Sequence, residues 1–153
     1  MHLELIPVEP GSKIYSIIVS SLRNPYMPLI RYRSGDCAET SDGSPDPLRI
    51  RRFCEEKELL RLERGGVISQ ADLDDWIADA TPSIFVYQLH LEAPRRARLL
   101  YTTFDGGPIE PAAEQALRRG ILENTGLECV LEHRAHIAIG KSGSMRGWYG
   151  RKR

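Results

Sequence analysis

This chain of 153 residues has few cysteines, no long apolar run, no net charge and none of the familiar catalytic signatures. Cys37, Cys54 and Cys129 are odd in number, widely spaced, and form no Cys-x-x-Cys. That pattern argues against a disulfide-stapled scaffold and for free thiols in a reducing compartment. The longest apolar runs, such as Ile17-Ile18-Val19, are far too short to span a bilayer. The opening Met1-His-Leu-Glu-Leu-Ile-Pro7 lacks the basic and long apolar regions of a signal peptide. A cytoplasmic protein with no membrane association is the expectation. No Gly-x-Ser-x-Gly, His-Glu-x-x-His or Gly-x-Gly-x-x-Gly occurs. The four histidines offer no metal-ligand spacing either. His133 and His136 are three apart, so a strand would put them on opposite faces. Neither a metal nor a cofactor is expected.

The hydrophobic pattern indicates a folded α+β protein. His2–Val8, Lys13–Leu22 and Met27–Arg33 read as strands, the second being rich in β-branched residues. Ser34–Pro47 is small, polar and turn-forming, and reads as a mobile loop. Asp46-Pro47 is a helix-start signal. Ile50, Phe53, Cys54 and Leu60 follow it at helical spacing, and Gly65-Gly66 marks the end. Cys54 is thereby expected on a helix, and Cys37 as an incidental thiol in the loop. Leu73, Trp76, Ile77 and Ala80 form a second helical stripe behind a Ser69 cap. Ser83–Leu91 and Arg98–Phe104 read as a β-hairpin, Ile109–Asn124 as a third helix, and Leu127–Ile139 as a last alternating strand. Runs of mixed type without regular β-α alternation give a mainly antiparallel sheet with about three helices packed on one face. Residues 1–140 are expected to form a single domain with the mobile loop at 34–47, and residues 141–153 a basic Gly-rich tail.

Charge is distributed unevenly. The 21 Lys and Arg balance 21 Asp and Glu, yet six of the basic residues and none of the acids lie from Arg134 onward, leaving 15 against 21 upstream. Lys141, Arg146, Arg151, Lys152 and Arg153 supply charge in this end, Trp148 and Tyr149 supply stacking surface, and Gly143, Gly147 and Gly150 allow close backbone approach. That mixture suits an acidic protein or single-stranded or structured RNA. The leading expectation is a small soluble interaction module, not an enzyme, binding a protein or nucleic-acid partner partly through this segment. The alternative is a metal-independent RNA-binding or RNA-processing protein. In it His136 would act as general acid or base, and Lys141 or Arg146 would stabilise the transition-state charge.

Ala135 to Ser142 matches a relaxed phosphate-loop pattern, but only eleven Gly-rich residues follow, too few for the required helix and sheet. Residues 135–150, a strand leading into a Gly-rich basic end, resemble the terminal glycine loop of CRISPR RNA-processing proteins of the repeat-associated type. That family's tandem β-α-β-β-α-β order is not evident upstream, and no catalytic residue carries over.

Overall fold

The computed structural model describes residues 1–23, 25–41, 43, 49–63 and 65–138, and the backbone of 148–150. The chain divides into two compact units, Met1–Ser69 and Gln70–Arg153. Among the described residues no helix is long and apolar enough to cross a membrane.

The first unit is an antiparallel meander. Strands β1 (His2–Pro7), β2 (Ile14–Ser21), β3 (Leu29–Thr40) and β4 (Ile50–Glu55) lie side by side in chain order. The β1–β2 connection turns tightly at Gly11, whose φ of 76° is the left-handed conformation that glycine adopts without strain. Ile14, Tyr15 and Ile18 of β2 are buried, and the Tyr15 hydroxyl donates to the Gly43 carbonyl at 2.6 Å. A 3-10 turn at Glu56–Glu58 leads to a two-stranded hairpin, β5 (Leu59–Arg61) and β6 (Val67–Ser69). Glu9 ties this hairpin to the β1–β2 turn, accepting from Arg61 Nη1 and from the Gly66 N–H, both at 2.9 Å.

The second unit is a mixed sheet with two helices. Its strand order is β10-β7-β8-β9, from β7 (Ile84–Ala93), β8 (Arg96–Thr103), β9 (Glu128–His133) and β10 (Trp148–Gly150). The central pair β7–β8 is antiparallel, and each outer strand joins it in parallel. The parallel β8–β9 pair requires a crossover, which α2 (Pro111–Thr125) provides. Leu89, Leu99 and Leu131 stand in register across three strands and are all buried. On α1 (Gln70–Ala80) the stripe residues Leu73 and Ile77 are buried, and on α2 Leu117 and Ile121. The two helices contact each other, and α2 packs on β9. The Tyr87 hydroxyl donates to Asp74 of α1 at 2.8 Å, so the Tyr87 face of the sheet is the one that meets the helices.

Two expectations need correction. The first concerns helix number: among the described residues two α-helices are present, not about three. Residues 50–61, expected as a helix, form β4, the 3-10 turn and β5. The reason is a buried carboxylate. Glu39 on β3 is 7% exposed, and its register partner is Arg52. Extended pairing lets both Arg51 (3.2 Å) and Arg52 (2.5 Å) reach that carboxylate. A buried charge without such partners is costly. The second correction concerns the loop at 34–47. Ser34–Thr40 belongs to β3, and Cys37, Ala38 and Thr40 have no exposed surface. Their smallness suits a strand enclosed between β2 and β4. Cys37 is therefore a core thiol, and Cys54 sits on a strand. Asp42 and Ser44–Pro47 of the expected loop lie outside the described residues.

Candidate functional site

The helix-free face of the second sheet carries the site. Strand alternation sends Val86, Gln88 and His90 of β7 away from the helices, beside Thr102, Leu100 and Arg98 of β8. A register shift between Ile84 and Val86 bulges Phe85 outward. Phe85 rests against Phe104 with ring centroids 4.9 Å apart, and both rings are exposed. The chain leaving β9 then returns over this face. Gln88, 6% exposed, donates its amide to the Ala138 carbonyl at 2.8 Å and so pins that returning segment.

Between sheet and segment lies a trough of about 470 Å³, lined by Phe85, Val86, Gln88, Thr102, Thr103 and residues 135–138. At the foot of the trough the Thr103 hydroxyl donates to the Gly107 carbonyl at 2.5 Å. Gly107 N–H in turn donates to Asp105, and this bond holds the Asp105 carboxyl below the usual carboxylate range. The loop is thus tied down next to the trough. At the other end of the face, burial lowers the His90 pKa, and the Arg98 guanidinium adds to the effect.

Apolar walls, two threonine hydroxyls and one primary amide make a binding surface. Among the described residues that line the trough, His136, exposed on the rim, is the one titratable group. Among the described residues no group of three or more His, Cys, Asp or Glu is placed to hold a metal. A trough of this kind suits an apolar or planar part of a ligand, oriented by a few polar groups.

No protein-family model matches the chain, and no curated protein matches it. Solved structures do. A 2-hydroxyisobutyryl-CoA ligase in the postadenylation state, in complex with R3-HIB-AMP, aligns with 98% of this chain and 36% of its own at 16% identity, with a TM-score of 0.62. Acetoacetyl-CoA synthetase from Streptomyces lividans aligns with 94% of this chain and 25% of its own at 17% identity, TM-score 0.55. A structure from work on fatty acyl-adenylate ligases of E. coli and L. pneumophila aligns with 95% and 28% at 17% identity, TM-score 0.54. The chain has a fold found within adenylate-forming ligases. It spans about a quarter to a third of those structures, and at such identities the likeness concerns the fold alone.

Against this fold the sequence-expected residues fall in three groups. His136 is at the trough. Trp148 and Tyr149 lie on β10, their backbones paired with Leu89 and His90 of β7. Lys141, Arg146, Arg151, Lys152 and Arg153 lie outside the described residues, as does most of the segment likened to a glycine loop. Several of the described arginines are engaged with carboxylates. Arg31 pairs with Glu4, Arg33 with Glu56, Arg98 with Glu92 and Glu132, and Arg118 with Glu114. His133 is half-buried, its ring 5.5 Å from that of Tyr101, and its Nε2 is enclosed without a hydrogen-bond partner among the described residues.

Gln88, Phe85, Thr102 and Thr103 are not singled out by the sequence pattern. For Gln88 a signal existed: it is a lone amide within a strand of large apolar residues, Ile84–Leu91. Nothing local marked the other three.

Proposed function

We propose that this chain is a module of an adenylate-forming carboxylate ligase, and that its trough on the second sheet receives part of an acyl adenylate or of a CoA thiol. The observation that carries this is the extent of the fold likeness. It runs through 98% of the chain, both units included, against a ligase holding an acyl adenylate. The trough supports it chemically, because apolar walls with an amide and hydroxyls suit an acyl, pantetheine-like or nucleobase portion. Since the chain covers only 25–36% of the matched structures, bond formation itself is assigned to a larger assembly of which this module forms one wall. The three reduced cysteines support a cytoplasmic location.

The test is amide and side-chain NMR of the full chain, titrated separately with AMP, a non-hydrolysable acyl-sulfamoyl adenosine, and CoA. Shifts concentrated at Phe85, Gln88, Thr102 and His136 with at least one ligand are expected, and Gln88→Leu should abolish them. If none of the three perturbs the trough at millimolar concentration, the ligase assignment fails.

A second reading, an interaction module with an acidic protein partner, is favoured by one observation. Trp148–Gly150 forms the outermost strand of its sheet, and the sequence on either side of it is basic. Removing Gly147–Arg153 deletes three positive charges. Loss of salt-sensitive partner capture on that truncation would support it. Capture of RNA instead, with a salt slope that falls by about two to three, would favour the nucleic-acid alternative.

A further inference from the structure

Two thiols of the first unit stand in a relation that ligand binding at the trough does not use. Ser16, Cys37 and Cys54 form one row across β2, β3 and β4, with Ser16 paired to Cys37 and Cys37 to Cys54. Directly opposed residues of an antiparallel ladder have Cα atoms about 4.5 or 5.5 Å apart, and their side chains leave the sheet on the same face. A disulfide spans Cα separations of about 4.4–6.8 Å. Cys37 hydrogen-bonds with both the Ser16 hydroxyl and the Cys54 thiol, and both thiols are reduced.

Access separates the pair. Cys37 has no exposed surface. Cys54 is half-buried and opens into a cleft of about 360 Å³ lined by Ile17, Asp36, Phe53, Glu55 and Glu58. Three carboxylates surround that opening, of which Glu55 pairs with Lys57 at 2.5 Å, and the negative charge at the mouth disfavours anionic oxidants such as glutathione disulfide more than an uncharged peroxide.

We propose that Cys37 and Cys54 are a redox pair that closes into a cross-strand disulfide under peroxide, Cys54 meeting the oxidant and Cys37 resolving the product. In the first step the Cys54 sulfur attacks one peroxide oxygen. An S–O bond forms, the O–O bond breaks, and the departing hydroxide leaves as water with the thiol proton, giving a sulfenic acid. In the second step the Cys37 sulfur attacks the Cys54 sulfur. The S–S bond forms, the S–O bond breaks, and the sulfenic oxygen leaves as water with the Cys37 proton. Two thiols and one hydrogen peroxide thus yield one disulfide and two waters. Burial raises the Cys37 pKa, which keeps that thiol protonated and slow towards peroxide on its own. The product would lock β4, with Arg51 and Arg52, onto β3.

The experiment treats the full chain with hydrogen peroxide, blocks remaining thiols with iodoacetamide under denaturing conditions, and maps tryptic peptides without reduction. The expected product links Ser34–Arg49, which holds Cys37, to Phe53–Lys57, which holds Cys54, with loss of two hydrogens and reversal by dithiothreitol. Cys129→Ser should form the same link. Linkage through Cys129, or Cys54 carried on to sulfinic acid while Cys37 remains alkylatable, overturns the proposal. In Cys37→Ala, Cys54 should stop at the sulfenic acid and be captured by dimedone several-fold more than in the parent. Equal capture in both removes Cys37 as the resolving thiol. Should that buried variant not fold, Cys54→Ser serves. Cys37 should then stay reduced, and its oxidation at the parental rate would overturn the order of steps.

Discussion

Gly120 of α2 and Gly126, which caps that helix, should respond to alanine with opposite signs. Gly120 lies inside the helix, and a Cβ built there meets nothing within 4 Å. Alanine adopts helical geometry at less entropic cost than glycine, so Gly120→Ala should stabilise the protein by about 0.8–1 kcal/mol. Gly126 ends the same helix at φ 72°, ψ 14°, donating its N–H to the Leu122 carbonyl at 2.7 Å. A methyl group keeps that bond but meets the left-handed penalty of about 1–2 kcal/mol. The two variants should therefore differ by about 2–3 kcal/mol. Urea titration followed by helical circular dichroism reads this as midpoints on either side of the parent with an unchanged slope. In thermal scans each kcal/mol is worth about 4–8 °C if the second unit, which holds α2, unfolds alone, or about 2–4 °C if the whole chain melts together. A destabilised Gly120→Ala would mean that this side of α2 is packed rather than open. A Gly126→Ala as stable as the parent would remove the left-handed cap.

Leu99→Ala empties the centre of the three-leucine row in the second sheet and should cost about 2–5 kcal/mol by urea unfolding; less than 1 would mean the row is not core. Tyr87→Phe removes the donor to Asp74 and should cost about 1–3 kcal/mol at neutral pH, read by the same titration. Because the folded-state pKa of His90 is lowered by burial and by Arg98, the unfolded chain takes up this proton first. Stability should be full above the ordinary histidine value near 6.5 and decline as pH falls through the folded value, and His90→Asn should flatten that segment of the stability–pH curve. Burial pushes the Cys129 thiol up to about 12, so iodoacetamide at pH 8 should label Cys54 well before Cys129 in the folded protein, a difference that vanishes in urea.

The legible parts of the sequence were those where one periodicity stood alone. The stripe Leu73, Trp76, Ile77, Ala80 became α1, and the alternating Ser83–Leu91 and Arg98–Phe104 became β7 and β8. Each of these elements buries one face against a neighbour of the same unit, so the pattern and the packing agree. The segment 50–61 misled because two patterns overlap there. Its charged residues have good helix propensity, and Ile50, Phe53 and Cys54 fit a helical stripe, but Ile50, Arg52 and Cys54 also share one strand face. What decides between them is Glu39, eleven or more residues away, whose burial calls for two guanidinium partners from an extended β4. Ser34–Thr40 misled for a different reason. Small residues signal a loop when nothing covers them, yet they are also what fits between two flanking strands, and sequence spacing does not show what lies alongside. The trough has the same character. Gln88 and residues 135–138 are some fifty positions apart, and only the return of the chain over the helix-free face makes one amide the anchor of a site. Sites built by such long-range closure are set by topology first, and their individual residues look ordinary until the strand order is known.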